Sequence, residues 1–258
     1  MSRTVVIGAS SGLGRCVGIG LAQRGERVAL LARRLHRLEA AANDAGAHSV
    51  PIECDVTDEA SVRSAIADAA IALGGIDNLV YTPAVSPLVR IADTDAAGWR
   101  RVFDTNVVGA SLATAAALPH LLESKGKVVF FSSDAGTFGP PWPGLGAYGV
   151  SKAALERLVD VWRAEHPEIG FTSLVVGECS GGEGHSQTAM MAGWDPELAM
   201  ELYPLWVSRG CLPGQLMSVD DLIEIVHTIL SARSSTSIPL VVARGAPGTA
   251  AATLPTRE

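Results

Sequence analysis

The chain has 258 residues, of which 48% are hydrophobic and 18% charged, and its formal net charge is −7. This much apolar material can bury a large core, which excludes an intrinsically disordered chain, and the length suits one α/β domain. The negative charge argues against a nucleic acid or an anionic membrane as partner.

Cysteine usage and hydropathy favour a cytoplasmic protein. The four cysteines form no CxxC pair, so we expect reduced and mostly buried thiols at Cys16, Cys54, Cys179 and Cys211. Residues 4–7 run directly into a glycine-rich turn, which leaves no cleavable secretory segment. Charge, glycine or proline breaks every apolar run within about a dozen residues, short of the roughly 20 that a membrane helix needs. The histidines are not spaced as metal ligands, and we expect no metal site.

Short β-branched runs alternate with longer Ala/Leu-rich segments along the chain. The predicted strands are 4–8, 27–32, 49–53, 78–81, 127–132, 171–176 and 239–243. The predicted helices are 13–24, 34–45, 59–73, 99–122, 147–164 and 219–232, with Asp58 and Ser218 as N-caps. Several strands are apolar throughout, as strands covered on both faces should be. The pattern predicts an α/β fold, a single-domain Rossmann-like doubly wound parallel sheet of about seven strands with helices on both faces.

We expect one domain over residues 1–244 and a loose tail over 245–258. Residues 177–213 interrupt the alternation and carry several glycines, methionines and aromatic residues. A long excursion of this kind is typical of a lid over a binding site, although a helical pair whose aromatics pack on the body is the alternative.

The first predicted strand ends in a glycine-rich turn and a helix follows. The turn reads Gly8-Ala9-Ser10-Ser11-Gly12-Leu13-Gly14. Glycines allow a tight turn and a close approach of backbone to a pyrophosphate, while the N–H groups of the helix N-terminus point at the phosphates. The position of the turn therefore indicates a dinucleotide site.

The residues after the second and third strands bear on the type of cofactor. Arg33 and Arg34 stand where an acidic residue would bind the ribose hydroxyls of NAD, and guanidinium groups pair well with a 2′-phosphate. NADP is therefore the expected cofactor, although both arginines could merely begin a solvated helix. Asp55 is placed to accept a hydrogen bond from the adenine amino group, or to cap the next turn.

Tyr148 and Lys152 are four residues apart on a predicted helix, which places them on one face. A free tyrosine has a pKa near 10, too high for acid–base work near neutral pH. A neighbouring ammonium and an oxidised nicotinamide could lower that pKa. Ser132 and Ser133 end the fifth strand, where a hydroxyl can hold a substrate oxygen or serve as an ordinary strand-end group.

Taken in order, these motifs resemble the short-chain dehydrogenase/reductase family over nearly the whole chain. The matching residues are Gly8, Gly12 and Gly14 of the turn, Asp55 with Val56, Asn106, Ser133, Tyr148 and Lys152. The resemblance implies hydride transfer between the nicotinamide and a carbonyl or alcohol. It also implies that Tyr148 carries the proton, Ser133 orients the substrate oxygen, Lys152 contacts the nicotinamide ribose and Asn106 completes a proton relay.

Two turns depart from the family pattern. Tyr81-Thr82-Pro83-Ala84 replaces the usual Asn-Asn-Ala-Gly, so we expect the side chains that tie neighbouring strands together to be missing there. Gly177-Glu178 replaces the usual Pro-Gly against the nicotinamide amide, which Glu178 could bind or hinder. By position in the family pattern, Pro83, Ala84 and Gly177 are still expected to contact the cofactor.

The expected substrate is an apolar carbonyl or alcohol compound, because Trp142, Met190 and Trp194 fall in the segments that border the site. The family also implies a homodimer or homotetramer built through helices 99–122 and 147–164. A non-catalytic NADP-binding sensor on the same fold is the alternative function, and an isomerase or epimerase is a further one.

Overall fold

The computed structural model describes residues 1–180, 191, 193–212 and 214–246. The strands of the main sheet are β1 Arg3–Ile7, β2 Arg27–Ala32, β3 Ser49–Glu53, β4 Asn78–Tyr81, β5 Lys127–Ser133, β6 Gly170–Val176 and β9 Leu240–Ala243. Two short strands, β7 Cys179–Ser180 and β8 Met217–Ser218, form a second sheet. The order of the seven-stranded sheet is β3-β2-β1-β4-β5-β6-β9 and every pairing in it is parallel, which confirms the predicted fold class.

Eight α-helices occupy the described part of the chain. They are α1 Gly12–Gln23, α2 Leu35–Ala45, α3 Glu59–Leu73, α4 Ala96–Phe103, α5 Gly109–Ser124, α6 Gly146–Glu165, α7 Pro196–Ser208 and α8 Val219–Ser231. Both predicted N-caps are confirmed, since the Asp58 carboxylate accepts from Ala60 N–H and the Ser218 hydroxyl accepts from Asp220 N–H.

Helices cover both faces of the sheet, so the central strands are buried on each side. Val5 and Phe130 face a cluster packed under α3, α5 and α6, whereas Val6 and Val129 face a second cluster under α1, α2 and α8. Because both faces are covered, these strands are apolar throughout rather than alternating, as predicted.

The predicted helix 99–122 is present within one helical stretch that runs from Ala96 to Ser124. A π-helical turn, Asp104–Val108, separates α4 from α5. The buried Tyr81 hydroxyl donates to the Thr105 carbonyl oxygen at 2.6 Å, which ties the turn to the end of β4. Insertions of this kind are often found at functional sites.

The stretch Ala96–Ser124 is long and apolar enough, by length and composition, to cross a membrane, with a mean hydropathy of 1.2 in a window that is 39% buried in the fold. Ala113, Ala117 and Leu121 of α5 pack into the core beside the sheet. A helix packed on a core passes the same test, so this feature carries no conclusion about a membrane.

The order of the strands reverses between β1 and β4. In open α/β sheets ligands bind outside the carboxyl ends of the strands at this switch point. The glycine-rich turn after β1, residues 82–90 after β4, and the polar residues after β5 and β6 all lie at this edge.

Candidate active site

The turn after β1 requires glycine for two reasons, its backbone conformation and its close packing. Gly8 has a φ of +88° and Gly12 a φ of +57°, conformations that favour glycine. A Cβ on Gly14 would overlap the Thr82 hydroxyl and lie 2.6 Å from the Gly8 carbonyl oxygen. The start of α1 can therefore press against the end of β1, and its free N–H groups face the edge where a diphosphate would bind.

The expectation that the altered turn after β4 lacks a side chain tying neighbouring strands together is wrong, because the Thr82 side chain does so. The Thr82 hydroxyl donates to the Ile7 carbonyl oxygen at 2.6 Å, and the Thr82 backbone N–H donates to the same oxygen at 3.1 Å. A Cβ on Gly8 would lie 3.0 Å from the Pro83 nitrogen, so Pro83 borders the turn, while Ala84 is exposed beside it. The altered sequence keeps β1 and β4 joined through a hydroxyl instead of an amide.

Arg34 reaches back to the glycine-rich turn from the start of α2. Its Nη2 donates to the Ser10 hydroxyl at 3.0 Å and to the Ser11 hydroxyl at 2.7 Å. Arg33 is exposed next to it, and its charge acts on Asp55. The two guanidinium groups thus lie beside the turn, and Arg34 does more than begin a solvated helix.

Asp55 follows β3 and is held in a local turn. Its Oδ1 accepts from the Thr57 N–H at 2.9 Å and from the Thr57 hydroxyl at 2.8 Å. Burial raises the pKa of Asp55, but these hydrogen bonds and the charge of Arg33 outweigh burial and leave the pKa below its ordinary value. The Val56 side chain lies in the core, so any cofactor contact from Val56 would come from its backbone.

Ser133, Tyr148 and Lys152 meet where β5 and α6 come together. The Ser133 side chain lies close enough to the Tyr148 hydroxyl to lower the pKa of Tyr148. Lys152 Nζ donates to the Phe131 carbonyl oxygen at 2.6 Å and lies 5.6 Å from the centroid of the Tyr148 ring. An ammonium has three donors, so two remain for other partners.

Burial is the main influence on the pKa values of Tyr148 and Lys152. It raises the pKa of Tyr148 to about 12, against the lowering effect of the Ser133 side chain. It lowers the pKa of Lys152 to about 8, against the charge of Glu156. The Tyr148 hydroxyl is therefore protonated at neutral pH, and any lowering of its pKa depends on a positive charge brought by a cofactor.

Asn106 is completely buried in the π-helical turn and all three of its hydrogen bonds hold other parts of the site. Oδ1 accepts from the Val85 N–H at 2.8 Å, and Nδ2 donates to the Val85 carbonyl oxygen at 3.1 Å and to the Ser151 hydroxyl at 2.9 Å. The side chain thereby joins the loop after β4 to α6, one residue before Lys152.

Sequence reasoning missed Asp134. It directly follows Ser133, is 9% exposed, and its Oδ2 would lie 3.2 Å from a Cβ on Gly177. Burial raises the pKa of Asp134 although the charge of Arg244 opposes this, and burial together with Asp134 raises the pKa of Glu178. The signal that could have identified Asp134 in the sequence is its position directly after Ser133, at the end of a predicted strand.

An aromatic cluster packs against Tyr148. Trp142, Leu202 and Trp206 are buried in it, with Trp194 partly buried at its edge. Trp194 Nε1 donates to the Ser86 carbonyl oxygen at 2.7 Å, and Trp206 Nε1 donates to the Pro143 carbonyl oxygen at 2.8 Å. The described part of the 177–213 excursion thus packs beside the candidate catalytic residues. Met190, also predicted to contact substrate, lies outside the described residues.

The chain matches the family model for short chain dehydrogenases over residues 2–191. It is 39% identical over 165 residues to glycine betaine reductase ATRR of Emericella nidulans. The aligned region covers 62% of this chain and only 13% of that protein. The chain also covers only 64% of an uncharacterized oxidoreductase of Myxococcus xanthus. It is 30% identical over 240 residues to serine 3-dehydrogenase of Rhizobium radiobacter, covering 90% of this chain and 89% of that one.

Solved structures give the same picture. A short-chain type dehydrogenase/reductase from Mycobacterium marinum superposes with a TM-score of 0.81 at 26% identity, covering 95% of this chain and 94% of that one. A serine dehydrogenase complexed with NADP+ superposes with a TM-score of 0.80 at 22% identity and 99% coverage of both chains. The chain belongs to the short-chain dehydrogenase family of oxidoreductases, whose reaction is hydride transfer with a nicotinamide cofactor.

Proposed function

We propose that this protein is an NADP-dependent oxidoreductase that interconverts a carbonyl compound and an alcohol. The observation that carries the proposal is that Ser133, Tyr148 and Lys152 lie together at the sheet edge that also bears the glycine-rich turn, with Lys152 Nζ 5.6 Å from the centroid of the Tyr148 ring. The three groups stand together on β5 and α6, where family members move the proton that accompanies hydride transfer.

The residues around the turn fit a dinucleotide. Gly14 lets the start of α1 pack against Gly8 and Thr82, so the free N–H groups of α1 lie at the edge where a diphosphate would bind. Arg33 and Arg34 offer guanidinium groups for a 2′-phosphate, which is why we assign NADP rather than NAD. When bound, the nicotinamide supplies or accepts the hydride.

The protein's own residues would manage the proton and the substrate oxygen. Tyr148 is protonated at neutral pH, so it is ready to donate its proton to a developing alkoxide in the direction of reduction. The Ser133 hydroxyl can hold the same oxygen. The aromatic cluster around Trp142 would exclude water from the reacting carbon and favour an apolar substrate.

A non-catalytic NADP-binding sensor remains the second candidate function, and one observation favours it. The charges of Asp134 and Glu178 both raise the pKa of Tyr148, which works against formation of a phenolate in the direction of oxidation. A sensor would bind the cofactor but would not consume it.

The experiment is a pair of fluorescence titrations with NADPH and NADH, followed by a panel of ketones and aldehydes monitored by NADPH absorbance. We expect NADPH to bind at least about ten-fold more tightly than NADH, because the phosphate–guanidinium pairs add charge-assisted hydrogen bonds. The double variant Arg33→Ala/Arg34→Ala should lose this preference, whereas Arg157→Ala, at an exposed position of α6, should keep it. Equal affinities in the wild type would remove the NADP assignment, and binding without consumption of NADPH on the whole panel would favour the sensor.

A further inference from the structure

One face of α6 is joined to the last residues of β5. Tyr148, Lys152 and Glu156 follow one another at intervals of four residues, so they lie along the same face of the helix. Lys152 Nζ donates to the Phe131 carbonyl oxygen at 2.6 Å. The hydroxyl of the next strand residue, Ser132, donates to Glu156 Oε1 at 2.7 Å. The helix face that carries the candidate proton donor therefore holds two successive residues of the strand end.

The second carboxylate oxygen of Glu156 holds the loop after β5. The Thr137 hydroxyl donates to Glu156 Oε2. A Cβ on Gly136 would lie 3.0 Å from Glu156 Oε1 and 3.1 Å from the Ser133 carbonyl oxygen. The Gly136 N–H donates to that carbonyl oxygen at 3.0 Å. The turn 133–137 therefore fills the space between the strand end and the carboxylate of Glu156.

The bond to Glu156 distinguishes the two serines that end β5. A serine hydroxyl has one proton, and Ser132 gives it to Glu156. Ser133 is then the one of the two serines that can donate to a substrate oxygen. Because Ser133 lies between Ser132 and the turn that ends at Thr137, Glu156 holds the chain on both sides of Ser133.

Glu156 differs from the charged residues next to it on α6. Arg157 is exposed and forms an ion pair with Asp160, three residues away on the same helix. Glu156 is half-buried, and its partners are 24 and 19 residues away in the chain. Hydrogen bonds to a charged acceptor are stronger than neutral ones. Glu156 is therefore built into the contact between β5 and α6 instead of lying on a solvated surface.

We propose that Glu156 is a positioning residue for the reaction, which fixes the Ser133 hydroxyl relative to Tyr148 by holding Ser132 and Thr137 against α6. This inference rests on the proposed oxidoreductase function. Glu156 touches neither substrate nor cofactor and moves no proton. Its effect comes from hydrogen bonds, so a glutamine amide can replace it: the amide oxygen accepts from Ser132 and the amide nitrogen donates to the Thr137 hydroxyl.

The test measures kcat and KM for the reduction of 4-nitrobenzaldehyde, an electrophilic aldehyde with an apolar ring, at saturating NADPH. Rates are expressed per NADPH-binding site, counted by fluorescence titration, so that loss of folded protein does not lower them. Glu156→Ala should lower kcat at least about ten-fold and change KM and NADPH affinity by less than about two-fold, because a misplaced hydroxyl costs turnover rather than binding. Glu156→Gln should keep at least about half of the wild-type kcat. Glu165→Ala, at the exposed end of α6, should match the wild type.

Ser132→Ala tests the same link from the strand and keeps the test valid if Glu156→Ala does not fold. It should lower kcat at least about three-fold with KM unchanged. In the Ser132→Ala background, Glu156→Ala should cost clearly less than in the wild type, since the two residues act through one contact. Equal losses in both backgrounds, or no loss in Ser132→Ala alone, would overturn the inference.

Hydrogen exchange without substrate separates the inference from the proposed function. The peptide that contains Gly136 should exchange faster in Glu156→Ala, because its turn loses two anchors, and at the wild-type rate in Glu156→Gln and Glu165→Ala. Unchanged exchange in Glu156→Ala would overturn the inference.

The kinetic outcomes that would overturn the inference are also distinct. Turnover of Glu156→Ala at the wild-type rate, or a rise in KM with kcat unchanged, would show that Glu156 does not position the reacting groups. A Glu156→Gln variant as slow as Glu156→Ala would show that the negative charge beside Lys152 matters instead of the hydrogen bonds. If the wild type reduces neither 4-nitrobenzaldehyde nor any compound of the carbonyl panel while the exchange responds as expected, the proposed function is wrong and the link between Glu156 and the strand end stands.

Discussion

At the scale of single residues, the site depends on which group keeps a proton inside a buried cluster. Burial pushes the pKa of Tyr148 up and that of Lys152 down, so both groups favour their neutral forms. The neighbouring Ser133 side chain works in the other direction and lowers the pKa of Tyr148. A cofactor with a positively charged ring would change this balance, which makes the cluster sensitive to the state of the cofactor.

Tyr148→Phe should reduce kcat by about 10²–10⁴-fold, the range typical for loss of a general acid. The affinity for NADPH should change little, because the turn after β1 and the two arginines lie on other elements. Steady-state kinetics and a fluorescence titration measure the two quantities. Turnover at the wild-type rate would remove Tyr148 from the mechanism.

Lys152 predicts a pH dependence of stability. Its folded pKa of about 8 lies below the ordinary 10.5, so the unfolded chain binds more protons between these values and the free energy of unfolding rises with pH. Between pH 7.5 and 9.5 the rise should be about 2 kcal/mol, before tyrosines begin to titrate. Urea unfolding of wild type and of Lys152→Met measures it. Parallel curves for the two proteins would mean that burial does not lower the pKa of Lys152 in the native protein.

At the scale of elements, the π-helical turn Asp104–Val108 is the part of the fold that holds the site together. Asn106 in this turn satisfies both backbone polar groups of Val85 and the hydroxyl of Ser151. The turn thus connects the loop after β4 to α6, which carries Tyr148 and Lys152.

Asn106→Ala should lower the free energy of unfolding by about 2–3 kcal/mol, because it leaves buried polar groups without partners. For a chain of this size that is a fall in Tm of about 5–10 °C. Ser151→Ala removes one of the three contacts together with the bond that the Ser151 hydroxyl donates to the Tyr148 carbonyl oxygen at 2.7 Å, and should still cost less. A thermal melt compares the variants, and equal losses would show that the two bonds of Ser151, rather than the contacts of Asn106 with Val85, account for the stability.

The sequence predicts the sheet better than the site, for a physical reason. Strands such as β2 and β3 follow from local apolar runs, and their predicted bounds match the structure. The π-helical turn after Phe103 carries Asn106, whose partner Val85 is 21 residues away, and no local pattern predicts this contact. The meeting of Asp134 with Gly177 likewise depends on the register of β5 and β6.

At the scale of the whole molecule, the π-helical turn and α6 leave apolar side chains on the outer surface. Val108 is 45% exposed, Val150 50% and Val161 42%. Val150 and Val161 are eleven residues apart, which is three turns of α6, so they lie on one face of that helix. An exposed apolar face of this kind is typical of a protein–protein contact.

We expect the protein to form a homo-oligomer through this face. Light scattering should give a mass of two or four times the 26.8 kDa of one chain. The double variant Val150→Glu/Val161→Glu should shift the mass towards that of one chain, because it places like charges across a two-fold contact. Leu35→Glu changes a comparably exposed apolar residue on α2, which covers the opposite face of the sheet, and should leave the mass unchanged. A wild-type mass of a single chain at micromolar concentration would contradict the expectation, and a mass that falls equally in both variants would place the contact elsewhere.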